Sequence, residues 1–161
     1  MGVVYWSPLC TTIGVLNLLV FLAEFLSPGA AFWPRLDFPA SGAEPHQFIT
    51  SLFKHANWVH LTSNAFFLFA FGCGLEKKIG ILRFLAVYLV SGVGGCFLFS
   101  LFSQGGAVVG ASGAIFGIIC SMAFLDPKAF VVVPGMPLPI PIVIFSIAYL
   151  LQEYVMMGTV V

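Results

Sequence analysis

The chain has 161 residues, of which 60% are hydrophobic and 7% are charged, and its formal net charge is zero. A soluble domain carries about 25% charged residues, so this composition excludes an ordinary soluble protein and predicts an all-α polytopic membrane protein. The balanced charge gives no indication of a nucleic-acid partner.

Apolar runs of about 20 residues predict five membrane spans within a single domain, residues 1–161. The spans lie at about 10–26, 58–75, 81–102, 112–125 and 141–157, and a long loop rich in proline, glycine and aromatic residues occupies 27–57. No basic residue precedes Arg35, so we interpret the first run as a retained helix and not as a cleaved signal peptide.

The basic residues predict the orientation of the spans, because Lys and Arg near span ends stay on the cytoplasmic side. Four of them follow the second or the fourth span, at Lys77, Lys78, Arg83 and Lys128. The first loop has only Arg35 and Lys54. We therefore expect an integral protein of a prokaryotic cell membrane with a cytoplasmic N-terminus.

The four cysteines lie singly in apolar runs, at Cys10, Cys73, Cys96 and Cys120. This spacing fits no metal-ligand motif, and it favours buried free thiols over disulfides. His55 and His60 also lack the spacing of a zinc site. We expect no metal and no cofactor.

The fourth span begins after a glycine-rich stretch, "SQGGAVVGASG". Each glycine inside a helix costs roughly 1 kcal/mol, so the helix is predicted to begin near Ser112. From there to Leu125 it would be about 21 Å long, against about 30 Å for the hydrocarbon core. This short span is therefore predicted to begin inside the membrane, with unpaired backbone N–H groups beside Ser112.

Three polar side chains are predicted to lie at a similar depth. Measured from the cytoplasmic ends of their spans, His60 is about 24 Å deep, Asn64 about 18 Å and Ser112 about 21 Å. His60 and Asn64 are four residues apart and share one helix face. Polar groups at such depth are usually functional, and a serine near several donors fits acyl transfer.

A packing role is the alternative interpretation of the same stretch. Gly113 and Gly117 form a GxxxG pair, which lets two membrane helices approach closely. Ser112 would then be a small residue at a helix contact.

Three segments resemble the rhomboid family of intramembrane serine proteases. "HANWVHLTSNAFFLFAFGCGLE" (55–76) is similar to its second-span signature, "GASG" (110–113) to its G-x-S-G nucleophile motif, and "EPHQFITSLFKH" (44–55) to the end of its membrane-embedded first loop. The resemblance implies a rhomboid-like helical bundle with Ser112 as the nucleophile. It further implies an oxyanion hole formed by His60, Asn64 and the Ser112 backbone N–H.

Supporting roles are expected for five further residues. Gly110 and Gly113 flank the nucleophile, and the resemblance implies that Phe116 takes the place of an aromatic that packs on the catalytic histidine. His55 is five residues from His60, about 140° round a helix, which favours anchoring of the first loop. Glu76 is expected to be structural at the membrane edge, while Glu24 and Glu153 have no assignable partner.

The chain departs from the family pattern in its histidines. Rhomboids take their general base from a histidine on a sixth span, but the sequence contains only His46, His55 and His60. A serine without a base is a poor nucleophile at neutral pH. We therefore expect five of six spans here, no proteolysis by these 161 residues alone, and a longer natural chain.

Two functions remain open at this point. The first is a serine endopeptidase that cleaves transmembrane helices of membrane-protein substrates in the lipid bilayer. The second is a non-catalytic rhomboid-like protein that binds transmembrane clients. Such pseudoenzymes typically lose the serine motif, so "GASG" favours the protease. A small transporter is disfavoured, because the sequence shows no inverted repeat.

Overall fold

The computed structural model describes residues 7–103, 105–132 and 138–159, with side chains described as far as Gln152. Within these ranges the chain forms six helices: α1 (Pro8–Leu26), α2 (Gln47–Thr50), α3 (Trp58–Ile79), α4 (Ile81–Phe102), α5 (Ser112–Leu125) and α6 (Ile142–Thr159). A helix occupies each of the five predicted span positions. The predicted all-α membrane fold is thus confirmed.

The helices differ in their capacity to span a membrane. Among the described residues, α1, α3 and α4 are long and apolar enough to cross one, whereas α5 and the Ile142–Gln152 part of α6 are shorter apolar helices. Helix α5 has 14 residues and begins at Ser112, as the glycine pattern predicts. Glu153 lies outside the described side chains.

Helix α3 is not uniform along its length. It is α-helical over Trp58–Phe67, forms a π-helix over Leu68–Gly72 and is again α-helical over Cys73–Ile79. Gly80 follows α3 with a φ of 83°, which glycine adopts without strain. The chain can therefore turn directly from α3 into α4.

The carboxylate of Glu76 binds the N-terminus of α1. Its Oε1 accepts a hydrogen bond from the Leu9 N–H at 3.2 Å, and its Oε2 accepts one from the Cys10 N–H at 2.7 Å. Glu76 is buried, and its negative charge lies against the positive end of the helix dipole. This contact fixes the end of α3 against the start of α1.

Replacement of Glu76 by glutamine is expected to lower the free energy of unfolding by about 2 kcal/mol, because a charge-assisted hydrogen bond is lost and an amide N–H faces a backbone N–H. Thermal unfolding in detergent measures this effect. Asp126→Asn is the control, since Asp126 is an exposed acid just after α5. Equal stability of Glu76→Gln and the parent protein would contradict this role.

The prediction of four free cysteines is wrong for two of them. Cys10 and Cys73 form a disulfide, with their Cα atoms 5.4 Å apart. They are 63 residues apart in sequence, and only the packing of α1 against α3 brings them together. Cys96 and Cys120 are free thiols, as predicted.

Helix α5 lies at the centre of the bundle, where it packs against α4, α6 and the π-helical part of α3. Ala114, Ile115, Ile118 and Ile119 of this helix are completely buried. On the α4 side, a Cβ on Gly113 would lie 3.5 Å from the Gly95 Cα. Small residues thus allow close contact between two helices in a bundle of low polarity.

A Cβ on Gly117 would overlap the Ser91 side chain of α4. Together with Gly113 opposite Gly95, this contact gives the GxxxG pair a packing function. That function accounts for the two glycines, and it leaves the role of Ser112 open.

The first loop is held against the segment that precedes α5. Strand β1 (Phe38–Pro39) pairs antiparallel with β2 (Ala107–Val108), and the Ala40 N–H donates to the Gly106 carbonyl at 3.0 Å. Two 3-10 turns, Trp33–Leu36 and Ser51–Phe53, flank α2. A second short hairpin, β3 (Phe130–Val131) with β4 (Ile140–Pro141), lies between α5 and α6.

A buried lysine fixes the first loop to α1. Lys54 is 5% exposed, and its Nζ donates to the Trp33 carbonyl at 3.0 Å. It also forms ion pairs with Glu24, at 3.1 Å, and with Asp37. Glu24 therefore has a partner that the sequence did not indicate, and two partly exposed carboxylates compensate the buried charge of Lys54.

Candidate functional site

The N-terminus of α5 presents Ser112 together with free backbone donors. Ala111 caps the helix and is fully buried, and the first helical hydrogen bond of this turn runs from the Ile115 N–H to the Ala111 carbonyl at 2.9 Å. The N–H groups of Ser112, Gly113 and Ala114 therefore have no intrahelical acceptor. Half-buried Ser112 begins the helix at its positive end.

Gly110 brings α3 against this turn. A Cβ on Gly110 would lie 2.6 Å from His60 Cε1, 2.7 Å from His60 Nε2 and 3.5 Å from Asn64 Nδ2. Only a residue without a side chain allows the imidazole so close to the backbone, two residues before Ser112, whereas the 3.5 Å to Asn64 is an ordinary van der Waals distance. The structure thus places His60 and Asn64 beside Gly110, two residues before Ser112.

The backbone at Gly110 is also unusual. Its φ is 117°, a left-handed value that favours glycine, and its N–H donates to the Ser51 carbonyl at 2.8 Å. The first loop therefore positions the residue that contacts His60.

Asn64 has an unused donor. The side chain is 2% exposed, and its Nδ2 has no hydrogen-bond partner among the described atoms. A buried donor left unpaired costs about 1–3 kcal/mol. Such a group is available to a ligand whose oxygen enters the space beside Gly110.

Asn57 sets the start of α3, a role that the sequence analysis missed. Its Oδ1 accepts a hydrogen bond from the His60 N–H at 2.9 Å, so it caps the helix. Asparagine three residues before His60 is the signal that could have revealed it.

His55 lies against His60, which corrects the predicted separation of 140° round a helix. The two ring centroids are 5.2 Å apart in an edge-to-face arrangement. The angular prediction was wrong because α3 begins at Trp58, so His55 belongs to the preceding loop. His55 is buried at the end of the first loop.

Burial of the His55 ring lowers the pKa of His55 from 6.5 to about 4, and the nearby His60 is a smaller cause in the same direction. Between these values the unfolded chain binds a proton that the folded protein does not, so stability is expected to fall as the pH decreases from about 6.5 to about 4. In chemical denaturation, His55→Gln is expected to reduce this loss of stability at low pH by on the order of 2 kcal/mol. His46→Gln, at an exposed position, is the control and is expected to lose as much stability as the parent protein. Identical pH profiles for the parent and His55→Gln would exclude this contribution.

The other predicted residues lie at different distances from this turn. Phe116, one turn after Ser112, is half-buried and packs against the core. Glu76 binds α1 at the other end of α3. His46 makes its contacts within the first loop, to the Arg35 carbonyl at 3.1 Å and to Glu44 at 3.3 Å. The described residues contain no group of three His, Cys, Asp or Glu that could hold a metal ion.

The helices and this turn define a class of protein: a polytopic helical membrane protein with a short central helix that begins at a serine, two residues after a glycine that lies beside an imidazole and a carboxamide. The family model described as "Rhomboid domain" matches residues 42–160. The chain belongs to the rhomboid family, and it is an integral membrane protein.

Curated relatives agree with this assignment. The chain is 39% identical over 94 residues to RHOMBOID-like protein 6, mitochondrial, of Arabidopsis thaliana. This match covers 58% of this chain and 30% of the relative. The chain is 47% identical over 74 residues to Rhomboid-like protein 11, chloroplastic, of the same plant, covering 45% of this chain and 26% of the relative. The chain is 37% identical over 95 residues to Rhomboid-like protease 3 of Toxoplasma gondii, and this match covers 59% of this chain and 35% of the relative.

These matches span about a third or less of the relatives' own lengths. One of the relatives is named a protease, and two are named for plant organelles. A prokaryotic cell membrane and a cytoplasmic N-terminus stay predictions for this chain.

Proposed function

We propose that the intact protein is an intramembrane serine endopeptidase that cleaves transmembrane helices of membrane-protein substrates, with Ser112 as its nucleophile. The observation that carries the proposal is the contact of His60 and Asn64 with Gly110, two residues before Ser112. Membership of a family that includes a named protease supports it.

In the proposed reaction, a substrate helix unwinds beside Gly110, and Ser112 Oγ attacks the carbonyl carbon of a peptide bond. A C–O bond forms, and the carbonyl oxygen becomes an oxyanion. Asn64 Nδ2, the His60 ring N–H and the Ser112 backbone N–H donate hydrogen bonds to that oxyanion. In this proposal α3 and α5 hold the three donors before the attack, so little reorganisation accompanies the development of charge.

A general base completes the mechanism. It accepts the Ser112 hydroxyl proton during attack and delivers a proton to the leaving amine when the C–N bond breaks. Water then hydrolyses the acyl-enzyme. The proposal assigns this base to a histidine at the place that the family pattern gives it, on a sixth span.

Asn64→Ala in the intact protein is expected to lower kcat by about 100-fold, the effect of removing one oxyanion donor. The assay is cleavage, in liposomes, of a tagged reporter with one transmembrane helix that contains small and helix-breaking residues. Thr62→Ala is the control, because Thr62 is an exposed residue of the same helix.

Two outcomes would count against the proposal. An intact protein that binds the reporter without cleaving it would favour the non-catalytic client-binding alternative. Cleavage by Asn64→Ala at the parent rate would remove Asn64 from the oxyanion hole.

A further inference from the structure

A groove lies between α3, α4 and α5 at the opposite end of α5 from Ser112. Its volume is about 540 Å³, and most of its wall is apolar. The residues that line it include Ile79, Arg83, Val87, Cys120, Ser121 and Phe124. The proposed proteolytic mechanism uses none of these side chains.

The groove has a charged rim and an apolar interior. Arg83 lies in the first turn of α4 and Phe124, 87% exposed, in the last turn of α5, so both belong to the end of the bundle. Val87 of α4 and Cys120 of α5 each lie one helical turn further from this end of the bundle, about 6 Å deeper in the groove. A cation above an apolar slot is complementary to a phosphate that carries an acyl chain.

The charges at this end favour an anionic ligand. Among the described residues, no carboxylate oxygen lies within 4.0 Å of the Arg83 guanidinium. Lys77 and Lys78 are exposed nearby in sequence, whereas the carboxylate of Glu76 is buried against α1. Guanidinium groups bind phosphate oxygens in a bidentate manner, and clustered basic residues at a span end attract anionic lipids.

We propose that this groove binds one anionic phospholipid. Arg83 and the Ser121 hydroxyl hold its phosphate, and an acyl chain lies against Val87, Cys120 and Phe124. A lipid bound here contacts three neighbouring helices at once. The site therefore adds lipid recognition to the protein independently of the chemistry at Ser112.

Native mass spectrometry of the purified intact protein tests this site. Titration with phosphatidylglycerol is expected to yield one retained lipid, and phosphatidylcholine none at the same concentration. Arg83→Gln is expected to weaken phosphatidylglycerol binding by about tenfold, since a charge-assisted contact is lost. Lys128→Gln removes one positive charge just after α5 but outside the groove. This variant is expected to bind phosphatidylglycerol as strongly as the parent protein does.

A second variant tests the apolar slot. Val87→Trp places a larger side chain in the groove and is expected to reduce phosphatidylglycerol binding while helicity, followed by circular dichroism, stays unchanged. Equal weakening by Arg83→Gln and Lys128→Gln would overturn the proposal in favour of diffuse surface charge. Equal binding of phosphatidylcholine, or displacement of the lipid by millimolar inorganic phosphate, would also overturn it.

Discussion

Ser112→Ala in the intact protein is expected to reduce reporter cleavage to background, a loss of about 10⁴-fold or more, because no other hydroxyl occupies the start of α5. The variant removes one oxygen from a half-buried position, so thermal stability should change little. Ser100→Ala is the control, because among the described residues the Ser100 hydroxyl donates only to the Phe97 carbonyl of its own helix.

This comparison separates chemistry from packing. If Ser112 served only as a small residue at a helix contact, alanine would replace it without loss of cleavage. Retained cleavage in Ser112→Ala would therefore contradict the proposed nucleophile, whatever the other variants show.

Gly110→Ala is expected to lower kcat/KM by at least about tenfold, because the new methyl group meets the His60 ring and the φ of 117° strains any residue other than glycine. Left-handed strain alone costs on the order of 1–3 kcal/mol of stability. The imidazole can rotate away from the methyl group, and that displacement removes it from the oxyanion hole. Activity is thus expected to fall more than stability does.

Gly105→Ala provides the matched control. Gly105 lies five residues earlier in the same segment, and, its chain neighbours aside, a Cβ there would meet no atom of the described residues within 4 Å. The Gly105→Ala variant is expected to retain the activity and the stability of the parent protein. Full activity of Gly110→Ala would show that the contact between His60 and Gly110 does not matter for function.

The sequence predicted the helices and the start of α5 because these depend on local physical chemistry. Apolar runs of sufficient length form membrane helices, and glycines oppose helix formation until Ser112. The predicted span 81–102 and the predicted start at Ser112 coincide with α4 and α5. The prediction of a common depth for His60, Asn64 and Ser112 rests on helical rise alone.

The sequence could not predict contacts that depend on how the helices pack. The Cys10–Cys73 disulfide and the Lys54–Glu24 ion pair both join segments far apart in the chain. The contact between His55 and His60 was missed because a helical-wheel argument was extended past the N-terminus of α3. In each case the missing information was the relative position of two segments.

Covalent labelling of the intact protein with a tagged fluorophosphonate, followed by peptide mass spectrometry, tests the central claim most directly. Serine nucleophiles activated beside an oxyanion hole react with this probe. The account predicts one adduct, on Ser112, that disappears in Ser112→Ala and weakens in Asn64→Ala. An adduct on another residue, or labelling of equal strength in Ser112→Ala, would contradict it.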